Sequence, residues 1–399
     1  MSKPQPCSIL NKFLKFITLG SSKYDLGPYL KTEFNIDSEN IKEYHESLHS
    51  LKSCIPELGE TMTMKVFQSR VLQFICPFKK AETTIKYSDF DDFKKNLKNE
   101  AVKDYNVFAD VVGLHMWGED QPICLGPYTI FDYGKHKDKL YEMMAIKEES
   151  FSTSSPLPKS LLHVKISARD SVSAQELAEA KFSRFRKVVS FMLNNRKYGS
   201  GVHISARQQA DVRRIYVSIP GSLTVSTARA DGIAVTITDS YYSAAEFGHS
   251  YIWEILSGNN LTEIQTRVMI AIDWLGEAML DESSSSTLLK AAIALEALLG
   301  LDRNNITKNL SENAAQILCD NVQSRIYVED KIRSLYGARS SVVHGRSSNN
   351  NESDAQEFLD YCAECVARFL TVEKLKEIKT EKELKDLLAF MKYSGPTLQ

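Results

Sequence analysis

Apolar residues recur along the chain at two different periods, and the change from one to the other outlines its organisation. From Leu161, "LLHVKISA" alternates apolar and polar positions as a half-buried strand does, and "GVHISA", "RRIYVSIP" and "DGIAVTITD" repeat that period. Between them Ala178, Phe182, Phe185, Val189 and Met192 recur at helical spacing. The pattern predicts a strand–helix–strand–strand unit over residues 151–240, either separate from or continuous with what precedes it. After Tyr241 the periods are helical: "NLTEIQTRVMIAIDWLGEAML", "TLLKAAIALEALLGL", "NLSENAAQILCD", "SRIYVEDKIRSLYGARSSVVHG" and "AQEFLDYCAECVARFLTVEKL" predict an all-α region over 241–399. "DESSSS" reads as a loop offering cap hydroxyls, Ser311 as an N-cap, and "SSNNNESD" as a polar loop.

The first 150 residues are less periodic. Runs such as "MTMKVFQSRVLQFICPF" and "YNVFADVVGLHMW" are broken by glycine, proline and clustered charge, which predicts a mixed α/β or β-rich domain. "SFSTSSPLPKS", residues 150–160, has the composition of a linker or exposed loop. The expected fold class is therefore multidomain α+β, with a mixed α/β N-terminal region followed by an all-α bundle.

Composition narrows the function classes. A chain of 399 residues with 43% hydrophobic and 25% charged residues is ordinary for a globular protein and long enough for two or three cores. Seven scattered cysteines point to a reducing cytoplasm rather than a secreted disulfide framework. The early run "FLKFITLG" is interrupted by lysine and followed by no cleavage site, so neither export nor membrane insertion is expected. A net charge of −2 excludes a uniformly basic nucleic-acid coat. One local excess stands out: nine Lys/Arg against a single acid between Lys181 and Arg214. Lys181, Arg184, Lys187, Arg213 and Arg214 form either a phosphate-facing patch or a solvated helix face and hairpin edge.

Several chemistries find no support. "YGKHKDK" lacks the second glycine and the Ser/Thr of a phosphate-binding loop. Cys362-x2-Cys365 has no second ligand pair and reads as core, and His45 and His49 read as surface, so no metal or other cofactor is expected. The strongest candidate is "LYGARSSVVHGR", residues 335–346. On a helix Tyr336, Ser340 and His344 share a face, with Arg339 on its flank. The negative end of the helix dipole favours protonated His344, and Gly345 ends the helix readily. An arginine for phosphate oxygens and a histidine for proton transfer suit RNA cleavage by the 2′-hydroxyl without a metal. Spacing alone also suits a polar helix end.

"LYGARSSVVHG" resembles the Arg-x4-His signature of the HEPN superfamily, and "AIALEALLG", "NLSENAAQIL" and the helix that follows resemble the layout of its Apea-like branch. The resemblance spans about Tyr241–Met391 and is densest over Leu288–Arg346. It implies a helical bundle that dimerises, with two facing Arg/His motifs forming a metal-independent endoribonuclease, often a toxin or an antiviral effector acting by abortive infection. Arg339 and His344 would be the catalytic pair, supported by Glu296, Tyr336 and Ser340. Many nuclease members carry Asn, Asp or His where Ser340 stands. Implied partners are RNA, a second copy of the chain, and an activating or neutralising protein. The alternative within the same resemblance is a noncatalytic module for dimerisation, RNA binding or partner binding.

Overall fold

The computed structural model describes residues 5–19, 34–36, 38–112, 114–116, 120–144, 160–193, 203–205, 212–219, 222–229, 235–237, 239–281, 283–302, 304–343 and 352–394. Their contacts form two compact units, Met1–Val107 with Lys165–Ala180, and Phe108–Val164 with Lys181–Gln399. The linker expected at residues 150–160 lies outside the described residues except Ser160, which begins a strand.

The first unit is mostly helical. It runs α1 (Pro6–Phe16), the short pair β1 (Ile17–Leu19) and β2 (Phe34–Ile36), then α2 (Ile41–Ser53), α3 (Met64–Lys80) and α4 (Tyr87–Asn99). The stretch read as part of a mixed or β-rich domain is here one helix, α3. Val66, Phe67, Val71, Leu72 and Ile75 line its buried face at helical spacing, and the Thr63 side chain accepts the Val66 N–H at its start. Pro77 falls in the last turn and removes one amide without breaking the inward stripe. Leu10, Phe13, Tyr44, Leu48, Phe67 and Leu72 form the centre of the core. His45 and His49 face outward on α2, as expected.

The first unit is closed by a segment far away in the chain. The Arg169 N–H donates to the Thr61 carbonyl at 2.9 Å. Its guanidinium donates to Thr61 Oγ1 (3.2 Å) and to the carbonyls of Leu97 (3.3 Å), Lys98 (3.2 Å), Glu100 and Glu57 (3.0 Å). These include the carbonyls left unpaired at the C-terminal end of α4, where a cation is also favoured by the helix dipole. Asp170 then accepts the Ser173 N–H at 2.8 Å and starts the next helix.

Strands gather after residue 100: β3 (Lys103–Val112), β4 (Leu114–Met116), β5 (Ile123–Leu125) and β6 (Tyr128–Asp132), followed by α5 (Lys137–Met144), β7 (Ser160–Ala168), α6 (Ser171–Leu193), β8 (His203–Ser205), β9 (Val212–Ile219), β10 (Ser222–Arg229) and β11 (Val235–Ile237). The largest sheet has the order β5-β6-β7-β3-β8, with β5/β6, β6/β7 and β3/β8 antiparallel. β9 and β10 pair as an antiparallel hairpin, and β11 pairs parallel to β4. Strand, helix, strand and strand follow one another in the anticipated order.

The remainder is helical: α7 (Asp239–Tyr242), α8 (His249–Ser257), α9 (Glu263–Met279), α10 (Ser284–Leu299), α11 (Ile306–Leu318), α12 (Val322–Val343), α13 (Glu352–Thr371), α14 (Glu373–Lys376) and α15 (Glu381–Ser394). α10 packs on α9, α11, α12 and α13. Its Leu288, Ala291, Ala292, Ala294, Leu295, Leu298 and Leu299 are buried, and no residue of the helix is fully exposed, so neighbours cover it on more than one side. Two local readings change. Ser284–Ser286 belong to the first turn of α10, with Ser283 as its cap, rather than to a loop. Ser311 lies buried inside α11, its hydroxyl donating to the Lys308 carbonyl, because Leu310 buries and carries the helix back to Ile306. Cys362 and Cys365 are core residues of α13. No helix among the described residues is long and apolar enough to cross a membrane.

α6 and α9 meet closely at Gly276, where an added Cβ would lie 2.2 Å from the Lys187 carbonyl oxygen. Gly276→Ala should therefore cost about 1–3 kcal/mol of stability through overpacking. Arg169→Met keeps an apolar stem but no donor and should cost about 3 kcal/mol, because several carbonyls lose a charged partner at once. Urea unfolding of the full chain measures both.

Candidate functional site

Two helices bring the candidate residues together. α12 turns Val328, Ile332, Leu335 and Tyr336 inward at spacings of three and four, so its register against α10 is set by apolar burial. Tyr336 ends that stripe with its ring buried, and its hydroxyl donates to Glu296 Oε1 of α10 at 2.6 Å. One helical turn further on, Arg339 Nη2 lies 3.5 Å from the same carboxylate oxygen. Its guanidinium carbon sits 5.8 Å from the Tyr336 ring centroid. One oxygen thus gathers a phenol and a guanidinium from the adjacent helix.

The arrangement has a definite electrostatic character. Burial pushes the Tyr336 phenol well above its usual range, the hydrogen bond to Glu296 and that residue's charge add to the push, and Arg339 opposes it. Tyr336 therefore stays a neutral donor, and Glu296 is free to act as the acceptor. Arg339 and Glu296 are each about one-third exposed, 31% and 32%. At that exposure their attraction contributes only about 0.2–1 kcal/mol, so it orients the arginine more than it stabilises the fold. Arg339 Nε is buried and has no hydrogen-bond partner among the described residues. The guanidinium is held on one side and has donor capacity left over.

The base of Glu296 is also fixed. Arg267 of α9 donates to the Ala297 carbonyl at 2.6 Å and to Glu381 Oε1 at 2.9 Å, so it caps the end of α10 while pairing with the first turn of α15. The shallow cleft lined by Arg267, Ile270, Glu296, Ala297 and Glu381 thus has its cation already paired.

The other anticipated residues divide. Ser340 lies on α12, within the helix as expected. His344 lies outside the described residues. Lys181 is exposed on α6. Arg184 pairs with Asp273 at 2.8 Å and Lys187 with Glu277 at 2.8 Å, so two of the four α6 cations are neutralised by acids four residues apart on α9. Arg213 and Arg214 sit on β9 opposite Ala228 and Thr227. Tyr336, Arg339 and Glu296 are brought together; the basic residues are not gathered with them among the contacts described. Among the described residues no group of three His, Cys, Asp or Glu side chains is placed to hold a metal ion.

Arg186 was not singled out by counting charge, yet it differs from its neighbours. Its Nε is buried without a hydrogen-bond partner among the described residues. Its position carried a signal: four residues after Phe182 and three before Val189, it falls on the inward stripe of α6 rather than on the solvated face.

No protein-family model matches this chain, and no curated protein or solved structure matches it either.

Tyr336→Phe removes the phenolic donor while keeping the ring that packs under Arg339. It should lower stability by about 1 kcal/mol, measured by chemical denaturation, with the helical content unchanged.

Proposed function

We propose that the chain is a metal-independent endoribonuclease effector of the HEPN type, acting as a toxin or in antiviral defence, with Arg339 and His344 as its catalytic pair. The observation that carries the reading is the state of Arg339. Its guanidinium is oriented by Glu296 and by the face of Tyr336, and its Nε–H makes no hydrogen bond among the described residues. A phosphate oxygen is a suitable acceptor for such a group, because guanidinium and phosphate form short, charge-assisted, paired hydrogen bonds.

In this mechanism the ribose 2′-oxygen attacks the adjacent phosphorus. The O2′–P bond forms as the P–O5′ bond breaks, giving a 2′,3′-cyclic phosphate and a 5′-hydroxyl. The proton lost by the 2′-hydroxyl is taken up by a base, and one is delivered to the departing 5′-oxygen. His344 serves in this exchange, and Arg339 neutralises charge building on the non-bridging oxygens. A second copy of the chain would supply the facing pair, so that one histidine accepts while the other donates. DNA lacks the nucleophile and is not a substrate. Glu296 and Tyr336 position Arg339 and do not touch the reacting atoms.

A second reading, binding or dimerisation without chemistry, draws on the same ion pair, since Glu296 already partly neutralises Arg339. The two are separated by incubating the purified chain with RNA and matched DNA in the presence of a chelator. Under the nuclease reading RNA is cut to cyclic-phosphate ends, DNA is untouched, and Arg339→Ala and His344→Ala each lose about 100-fold or more. Growth arrest on induced expression should likewise vanish in His344→Ala. RNA cleavage that survives both substitutions or requires added metal sinks the reading. RNA binding without cleavage, with wild type and His344→Ala equally harmless on expression, favours the second.

A further inference from the structure

α6, the end of α9 and the start of α10 enclose a polar recess lined by Ser183, Arg186, Lys187, Glu277, Asp281 and Lys290. The charges within it do not balance. Glu277 is paired with Lys187 at 2.8 Å and lies 3.8 Å from Lys290. Asp281 is paired with Lys290 at 2.6 Å. Both carboxylates are held below their usual range despite desolvation, because these ammonium groups face them. Arg186 is the third cation and shares the field of Glu277, a carboxylate already paired with Lys187. It makes no ion pair among the described residues, and its Nε is buried without a hydrogen-bond partner. Other arginines with a buried Nε, such as Arg70 and Arg339, still reach an acid through another nitrogen.

A buried guanidinium N–H without an acceptor costs about 1–3 kcal/mol, and the ordinary remedy is an ion pair or a hydrogen bond to a carboxylate. Arg186 cannot obtain one by a shift of α6, because Gly276 holds the Lys187 backbone directly against α9. The donors therefore stand in fixed positions on helices, with one positive charge in excess. The missing partner is an oxyanion of single charge, able to accept from a guanidinium fork and from the Ser183 hydroxyl at the recess mouth.

We infer that this recess binds a phosphodiester group of single-stranded RNA, with Arg186 as its anchor. A phosphodiester carries one negative charge on two non-bridging oxygens, which matches both the surplus and the geometry of the fork. The choice of RNA as the source of the phosphodiester rests on the function proposed above. The anion-binding role of Arg186 rests on the recess itself.

The test uses the full chain and a short single-stranded oligonucleotide with 2′-O-methyl riboses, which has no nucleophile and cannot be cut. Its binding is followed by fluorescence anisotropy over a salt series. Arg186→Gln should weaken binding about tenfold and reduce the slope of log affinity against log salt by about 0.7, the share of one phosphate contact on a single strand. Ser183→Glu covers the case in which the glutamine variant fails to fold. Ser183 is exposed, and a carboxylate there should fill the recess and weaken binding as strongly without lowering the thermal melt. The assignment is overturned if the wild type does not bind the oligonucleotide, or if both folded variants bind with wild-type affinity and slope. Binding of inorganic phosphate by the wild type, lost in Arg186→Gln, with no binding of the oligonucleotide would identify free phosphate as the occupant, which also overturns it. Weakened binding in the variants alongside no RNA cleavage by the wild type keeps the recess and removes the nuclease reading. Cleavage by the wild type with binding unaltered in the variants does the reverse.

Discussion

The second unit depends on α10 being narrow and apolar enough to be surrounded. Ala291, Ala292 and Ala294 leave space for neighbouring backbones, and Leu288, Leu295, Leu298 and Leu299 fill what remains, so that four helices pack against this one. Such a helix tolerates polar atoms only at its ends or where it emerges between neighbours. Its first turn is capped by Ser283, and its last carbonyls are satisfied in part by Arg267. Glu296 lies where the helix begins to emerge, and the carboxylate there collects Tyr336 and Arg339 from α12. The placement of the candidate arginine thus follows from a packing requirement: α12 must turn Ile332 and Leu335 inward, and Arg339 is then carried to the acid at the edge.

Charge on α6 is arranged by the same logic. Asp273 and Glu277, one turn apart on α9, meet Arg184 and Lys187, which are three apart on α6. Close approach at Gly276 makes this pairing geometrically available. Of the four basic residues on this helix, two are spent on holding helices together and one, Arg186, is half-buried and makes no ion pair among the described residues. A charge tally therefore overstates the free surface charge of α6 and passes over its most unusual cation.

What was legible in the chain were the features that repeat. α9, α10 and α13 announce themselves through long apolar periods, and the strand–helix–strand–strand order through a change of period. α3 was obscured because Pro77, Lys65 and Arg70 interrupt its apolar run, although Val66, Val71 and Ile75 keep to one face. Ser311 misled because serine suits a cap, and only the burial of Leu310 reveals that the helix has already begun. Tyr336 and Arg339 were readable as near neighbours on one helix. Their meeting with Glu296, 40 and 43 positions away, was implied by the family resemblance, while the distances come from the tertiary fold. Arg169 carried no signal at all, since carbonyl partners can belong to any residue type.

That last arginine bears on the order in which the protein can mature. Arg169 follows Glu100 by 69 positions, and its own unit lacks α4's final partners until that residue has been made. At ribosomal speeds of roughly 5–20 residues per second, the nascent helices wait about 3–14 s with those carbonyls open to water. The strands β3 to β7 are synthesised during that interval. The unit that holds α1 to α4 is therefore sealed only after strands β3 to β7 have been made.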